Sequence, residues 1–398
     1  MSRCLLLVCL VGAWLLVPSR ASPQEAKPDE TKAEKIDFNR ARELARKRGQ
    51  GEKLTDAEEA YVRRVLEAYQ AWQRLERLAG GEGRPGVPGN APGEPERTRP
   101  PRAEGKSSVG FKPLSDMTAE DKYKGEDGGL YGGGKNTPPD SQQKLAAAES
   151  AKIEPLDAEG KPAADGLIGL ISISMSNATQ EFSMFKRIAD ADEAKSPRVR
   201  IVDCAQGGQA MAEWAPPDAN PWRTASNILA NAKVSPQQVQ VAWIKLANKS
   251  PRGDLPEHGK KLEQDTLAVI QNAKAKFPNL RVAYLSSRIY GGYSAGALNP
   301  EPYAYEGAFV VRWLIQDQIA GVKDLAATGS AVKAPVLLWG PYLWADGTTP
   351  RASDKLIYTR EDLAGDGTHP SELGRRKVAD QLLQFFKTDD LAKRWFAK

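Results

Sequence analysis

Residues 166–174 read Gly-Leu-Ile-Gly-Leu-Ile-Ser-Ile-Ser, a short and nearly continuous apolar run with strand character. Further runs of this kind lie at 198–204, 239–245, 280–286 and 335–340. Continuous apolar runs are typical of strands that are covered on both faces. Helical stretches follow or separate these runs, near 178–190, 224–233, 258–277, 302–321 and 372–387. This alternation predicts a three-layer α/β/α domain with a five-stranded parallel, flavodoxin-like sheet.

The first residues have the features of a Sec-type signal peptide. Arg3 supplies a positive charge, residues 4–17 are mostly apolar, and Ser19-Arg20-Ala21 offers a small-residue cleavage site. The apolar stretch is too short to span a bilayer comfortably, and no later run in the sequence is long enough. We therefore expect cleavage near Ala21 and a secreted or periplasmic mature chain without a membrane span. The alternative is a signal anchor that is retained.

Between the signal and the α/β domain the composition changes repeatedly. Residues 22–79 are charged and predict a helical hairpin, whose second helix begins at a capping box in Thr55-Asp56-Ala57-Glu58. Residues 80–104 are rich in Pro and Gly and predict a linker. We expect residues 105–160 to form an extended strap on the α/β domain, which spans 161–392. The hairpin buries little by itself, so it packs on the main domain or binds a partner protein; oligomerisation or tethering through it is a separate functional hypothesis.

Composition excludes several classes of site. The formal net charge of +5 is mild, and the basic stretches are interrupted by acidic and apolar residues, so nothing indicates nucleic-acid binding. Two of the 3 cysteines lie in the signal, which leaves Cys204 without a partner for an intramolecular disulfide in the mature chain. With 2 histidines in the chain, we expect no His/Cys zinc site. Residues 129–135 nearly fit a phosphate-binding loop, but Asn136 and Pro138 argue against it, and we expect no cofactor.

Polar and glycine residues follow each predicted strand. In parallel sheets of this kind, ligands bind beyond the carboxyl ends of the strands. The last strand leads to a Gly- and Pro-rich loop in which Asp366 precedes His369 by three residues. An Asp oriented against a His is the base half of a nucleophilic triad. The alternative is a helix-capping loop whose Asp and His satisfy local backbone groups.

Residues 166–387 resemble the SGNH hydrolases, the GDSL-type esterases and lipases, and their longer phrases look like a secreted bacterial branch of that superfamily. The family's blocks run in order, and they correspond here to Ser176, Gly208, Asn248 and the pair Asp366-x-x-His369. The resemblance implies that Ser176 is the nucleophile, His369 its base, and Asp366 the group that orients the imidazole. It also implies that the N–H groups of Ser176 and Gly208 and the Asn248 amide are oxyanion donors.

Two blocks depart from the family pattern. The first usually reads Gly-Asp-Ser and is Ser174-Met175-Ser176 here, while the third usually ends Asn-Asp and is Asn248-Lys249 here. Ser174 is therefore a rival nucleophile, although Ser176 matches the block and abuts the start of a helix. The altered blocks also favour a second hypothesis, a non-catalytic module that binds a glycan or a protein partner on the same fold.

The expected function is a secreted serine ester hydrolase that acts on a small-molecule or polysaccharide ester. Deacetylation of an acylated carbohydrate is expected by analogy with the family alone. Substrate contacts are expected from side chains near the strand ends: Asn177, Arg288, Tyr290 and Tyr293. We expect His258 at the surface of a helix. Several aromatic side chains are expected in the core, with contact to sugar rings as the alternative: Trp214, Trp222, Tyr303, Tyr305, Tyr342 and Trp344.

Overall fold

The computed structural model of the protein describes residues 44, 47, 54–65 and 105–398. The predicted signal peptide and linker, and most of the predicted helical hairpin, lie outside these residues. The chain divides into two compact units, Met1–Arg97 and Thr98–Lys398, and each is described by itself.

In the first unit, residues 56–65 form a helix that starts at the predicted capping box. The Glu58 carboxylate accepts the Thr55 N–H at 2.9 Å, and the Glu58 N–H is 3.3 Å from the Thr55 hydroxyl. These bonds satisfy backbone N–H groups that the first turn of a helix leaves without partners. Leu44, Tyr61 and Val62 are buried together in a small apolar cluster.

The second unit is built on one parallel sheet. Its strands are β1 (Ile168–Ile173), β2 (Val199–Val202), β3 (Val239–Lys245), β4 (Val282–Ser286) and β5 (Val336–Trp339). They are arranged in the order β2-β1-β3-β4-β5, and every neighbouring pair is parallel. This is the flavodoxin-like order. The predicted α/β fold with a five-stranded parallel sheet is therefore confirmed.

Helices of the second unit connect and flank the strands. In chain order they are α1 (Asp140–Ser150), α2 (Ser176–Asp190), α3 (Met211–Trp214), α4 (Asn220–Asn231), α5 (Leu255–Lys276), α6 (Tyr303–Ile319), α7 (Glu372–Thr388) and α8 (Lys393–Phe396). α2 packs against α7, and α5 packs against α6. Every residue of β1, β3, β4 and β5 is buried, as the continuous apolar runs require.

The segment before the sheet is only partly extended. The prediction of an extended strap over 105–160 missed α1, whose residues are largely polar and show little amphipathic pattern. The start of the segment is fixed by Asp346, whose carboxylate accepts the N–H groups of Val109 and Gly110 at 2.8 and 2.9 Å and the hydroxyl of Ser108. Residues 105–110 are therefore held on the loop that follows β5.

Among the residues that the structure describes, none of the helices is both long and apolar enough to cross a membrane.

Candidate active site

Ser176 is the first residue of α2, directly after the loop that ends β1. It is partly exposed, whereas the strand that leads to it is buried. A residue at this position lies at the positive end of the helix dipole, next to N–H groups that no earlier turn can use. The fold therefore places a serine hydroxyl at the carboxyl edge of the sheet, in a setting that favours negative charge.

Asp366 and His369 lie on the loop that leads into α7. One Asp366 oxygen accepts the backbone N–H groups of Thr368 and His369, both at 3.0 Å, and the other is 2.6 Å from His369 Nδ1. Gly367 makes this tight loop possible because its φ is +66° and a Cβ there would lie 1.7 Å from the Tyr293 carbonyl oxygen. The loop thus holds the carboxylate against one ring nitrogen.

The other nitrogen of the imidazole faces the serine. Ser176 Oγ lies 2.8 Å from His369 Nε2, within hydrogen-bond reach. The structure therefore places Ser176, His369 and Asp366 in one chain of hydrogen bonds, although 193 residues separate the serine from the histidine. An arrangement of this kind can remove a proton from a hydroxyl and stabilise the imidazolium that results.

The charge of Asp366 suits that arrangement. Partial burial raises the pKa of its carboxyl, but the hydrogen bonds from the His369 ring and from the Thr368 and His369 N–H groups outweigh it and leave the pKa below its usual range. The carboxylate is therefore charged over the whole neutral range. A charged carboxylate can accept a hydrogen bond from Nδ1–H and stabilise an imidazolium.

Ser174, the rival nucleophile, has a different environment. Its side chain is buried, and its hydroxyl donates to the Lys245 carbonyl at 2.6 Å. That bond joins the end of β1 to the end of β3. Ser174 therefore stands where the family pattern has glycine and uses its hydroxyl to tie two strands together, while Ser176 contacts the imidazole.

Gly208, a predicted oxyanion donor, lies on the exposed loop after β2 with φ at +75°. A side chain would meet nothing within 4 Å, so the backbone conformation alone favours glycine. Within residues 105–398, the Gly208 N–H donates to no other group. It is thus free to donate to a bound ligand.

Asn248, the other predicted donor, follows β3 and is firmly oriented. Its Oδ1 accepts the Ala212 N–H at 2.9 Å, and its Nδ2 donates to Asp265 at 2.6 Å. An amide nitrogen carries two hydrogens, so one remains for a ligand. These bonds also fix which end of the amide is the donor.

Thr368 connects the two halves of the site, a role that no motif in the sequence predicted. Its carbonyl accepts the Asn177 amide at 2.8 Å and lies 3.5 Å from a guanidinium nitrogen of Arg288, while its hydroxyl contacts Ser294 at 2.7 Å. Asn177 is adjacent to Ser176, and Thr368 is adjacent to His369. The Asn177–Thr368 bond therefore runs beside the serine–histidine contact and holds the two loops together.

The four residues predicted to contact substrate are all buried. Asn177 and Arg288 are turned toward Thr368, as described above. The Tyr290 hydroxyl donates to the Lys106 carbonyl at 2.6 Å, and that of Tyr293 to the Tyr358 carbonyl at 3.3 Å. In this structure these side chains support the loops around the site, and their contact with substrate stays a prediction.

Two other predictions concern residues away from the triad. The expected surface position of His258 is wrong: its ring is buried and contacts Glu306, which also accepts the Tyr123 hydroxyl at 2.7 Å. Of the six aromatic residues considered for sugar contact, Tyr303 is partly buried. The other five are in the core, as expected: Trp214, Trp222, Tyr305, Tyr342 and Trp344. Among the described residues, no group of three His, Cys, Asp or Glu could hold a metal ion.

Comparisons with known proteins add little to this geometry. No family model and no curated protein matches the chain. A solved structure described as a candidate acylhydrolase from Bacteroides fragilis is 11% identical with a TM-score of 0.32, covering 65% of this chain and 100% of its own. The periplasmic domain of a lipopolysaccharide acetyltransferase from Salmonella serovar Paratyphi A is 12% identical with a TM-score of 0.31, covering 62% and 96%. These similarities are too low to assign a site or a substrate.

Proposed function

We propose that the protein is a serine ester hydrolase of the SGNH type, with Ser176, His369 and Asp366 as its triad. The observation that supports this most directly is the hydrogen-bond chain from Ser176 Oγ through both nitrogens of His369 to Asp366. A serine hydroxyl is a poor nucleophile at its own pKa and needs such a base. A loop that only capped α7 would not need a contact between His369 Nε2 and the partly exposed hydroxyl of Ser176.

The proposed reaction is acyl transfer in two steps. His369 Nε2 takes the proton of Ser176 as Oγ attacks the ester carbonyl, and the resulting oxyanion is held by the N–H groups of Ser176 and Gly208 and by the Asn248 amide. The imidazolium then protonates the leaving alcohol, which departs and leaves an acyl-serine. A water molecule activated by His369 attacks that ester in turn, releasing the acid and restoring the serine.

For the substrate, we propose an acylated carbohydrate, such as an O-acetylated polysaccharide, met outside the cytoplasm. This extension depends on the signal-like N-terminus and on the family resemblance, not on a feature of the site. The test is release of acetate from O-acetylated polysaccharide. No release, in a protein that cleaves simple esters, would remove the carbohydrate from the proposal and leave the esterase.

The esterase itself is tested with p-nitrophenyl acetate and the mature chain. We expect Ser176→Ala to lose about 10³-fold or more in kcat, because the nucleophile is removed. Ser174→Ala is the matched control, since it deletes a hydroxyl two residues away that already donates to Lys245. It should keep most of the activity. Equal turnover by wild type and Ser176→Ala, above the uncatalysed rate, would remove Ser176 from the mechanism. Turnover no faster than the uncatalysed rate in both would favour the alternative, a binding module that keeps the fold without the chemistry.

A further inference from the structure

Lys249 occupies a position that links the two loops of the proposed oxyanion site. It follows Asn248 in the chain, where the family pattern has aspartate. Its ammonium donates to the Gly208 carbonyl at 3.0 Å and lies 2.7 Å from the Glu213 carboxylate. One side chain thus spans from the loop after β3 to the loop after β2.

Gly208 depends on that contact. Within residues 105–398, the bond from Lys249 is the one hydrogen bond that Gly208 makes. The glycine is exposed, has a positive φ, and has no side chain to pack. Such a residue has more conformational freedom than any other unless something fixes it.

The chain directly after this loop, at the start of α3, is fixed by other hydrogen bonds. The Glu213 carboxylate accepts the Ala210 N–H at 2.9 Å, the Met211 N–H donates to the Ala247 carbonyl at 3.0 Å, and the Ala212 N–H donates to Asn248. Met211 and Ala212 are therefore joined to residues 247–248, and Ala210 is joined to Glu213. Glu213 in turn gives the Lys249 ammonium a fixed anchor.

We propose that Lys249 is a positioning residue that holds Gly208 at a set place relative to Asn248, so that both can donate to one oxyanion. The inference rests on the proposed esterase function. It also explains how the site can work with lysine where the family has aspartate: the lysine joins the two donor loops directly. Its effect should be on kcat, because the ground-state ester carries no oxyanion and the negative charge develops only in the transition state and the tetrahedral intermediate.

A measurement of folding stability distinguishes this positioning role from a purely structural one. Lys249 and Glu213 are 39% and 33% exposed, and ion pairs that exposed contribute little to folding. Lys333 and Asp324 form a comparable pair, 2.6 Å apart and 47% and 55% exposed, on the segments that precede β5. Lys333→Met is thus a matched control for Lys249→Met.

The experiment measures kcat and KM for p-nitrophenyl acetate, together with the thermal midpoint, in Lys249→Met, Lys249→Arg and Lys333→Met. Removing one oxyanion donor outright costs about 10²–10³ in kcat, so loosening one should cost about tenfold in Lys249→Met, with KM little changed. We expect Lys249→Arg to recover most of the loss, Lys333→Met to match wild type, and the thermal midpoint to stay constant. Glu213→Gln, which releases the ammonium from its anchor, should lower kcat in the same direction.

A wild-type kcat in Lys249→Met would overturn the inference, and so would a loss that appears only in KM. These outcomes are distinct from failure of the proposed function. If wild type and Ser176→Ala turn over the ester equally, the esterase proposal fails and Lys249 loses its role with it. If Ser176→Ala is inactive and Lys249→Met is not impaired, only the inference about Lys249 is wrong.

Discussion

At the scale of single residues, the site depends on Thr368 as much as on its charged neighbours. Its N–H is held by Asp366, its hydroxyl by Ser294 and its carbonyl by Asn177. These contacts leave the adjacent His369 little freedom to move away from Ser176. A buried hydrogen bond beside a reacting pair restricts its geometry, and small displacements of reacting groups are costly.

Asn177→Ala should therefore lower kcat about tenfold while leaving KM nearly unchanged, because the imidazole is displaced without loss of a substrate contact. The readout beyond kinetics is the NMR spectrum of the ring nitrogens, which is simple in a chain with 2 histidines. The signals of His369 should shift and those of His258 should not. Asn220→Ala, at the exposed start of α4, is the control and should leave both unchanged.

If Asn177→Ala instead raises KM and leaves kcat intact, the side chain contacts substrate as the sequence suggested. The sequence could place Asn177, Arg288, Tyr290 and Tyr293 near the right edge of the sheet, since position after a strand determines that. It could not show which way their side chains point. That depends on contacts such as Thr368 and Lys106, which come from distant parts of the chain.

At the scale of elements, the strands were the most predictable feature. β3 has the bounds expected from its apolar run, and β1 lies within residues 166–174. α2 starts at Ser176, two residues before the predicted start, so the serine belongs to the helix and not to the preceding loop. α1 was missed because residues such as Gln142 and Glu149 are buried through hydrogen bonds and ion pairs, which a hydrophobic pattern does not reveal.

The start of the segment before α1 offers a test at this scale. Asp346 is buried and accepts hydrogen bonds from Ser108, Val109 and Gly110. Asp346→Ala should lower the free energy of unfolding by about 3 kcal/mol, because N–H groups bonded to a charged acceptor lose their partner. Hydrogen exchange at Val109 and Gly110 should also become faster.

Ser108→Ala is the matched control, since it removes one of those three bonds and leaves both N–H groups with their acceptor. Its exchange rates at Val109 and Gly110 should stay close to wild type. Unchanged exchange in Asp346→Ala would show that residues 105–110 are held by other contacts.

At the scale of the whole molecule, the apolar cores of the described residues fall into separate clusters. The main cluster and its partly buried neighbours begin at Val109, and the cluster around Leu44 and Tyr61 shares no residue with it. A compact unit with its own core can fold alone. We therefore expect a chain of residues 105–398 to fold cooperatively and to keep wild-type kcat on p-nitrophenyl acetate.

An insoluble or inactive 105–398 chain would show that the N-terminal residues are needed for the catalytic fold. Its mass in solution tests the separate hypothesis that residues 22–79 mediate oligomerisation. If the full mature chain is larger than a monomer and the shortened chain is not, the N-terminal residues hold copies together. The same oligomeric state in both would argue against that.

The pH dependence of stability also belongs to the whole molecule, because the partly buried Glu301 accepts hydrogen bonds from Gly291, Tyr305 and Trp344. Burial raises the pKa of its carboxyl from 4.5 to about 7, against the opposing effect of three N–H donors. The folded state then binds the proton more tightly than the unfolded state, so stability falls as pH rises between these values. The loss from this group is up to about 3 kcal/mol.

Urea unfolding at pH 5 and pH 8 measures this effect. Glu301→Gln cannot ionise, so it should lose less stability than wild type on going from pH 5 to pH 8. A variant with the same pH dependence as wild type would assign the effect to other groups.

The central claim is that Ser176 is the nucleophile, and the most direct measurement is the site of covalent labelling by a fluorophosphonate, located by mass spectrometry of peptides. We predict one adduct per chain, on Ser176, absent in Ser176→Ala and retained in Ser174→Ala. An adduct on any other residue, or ester hydrolysis by a chain that takes no label, would contradict the account.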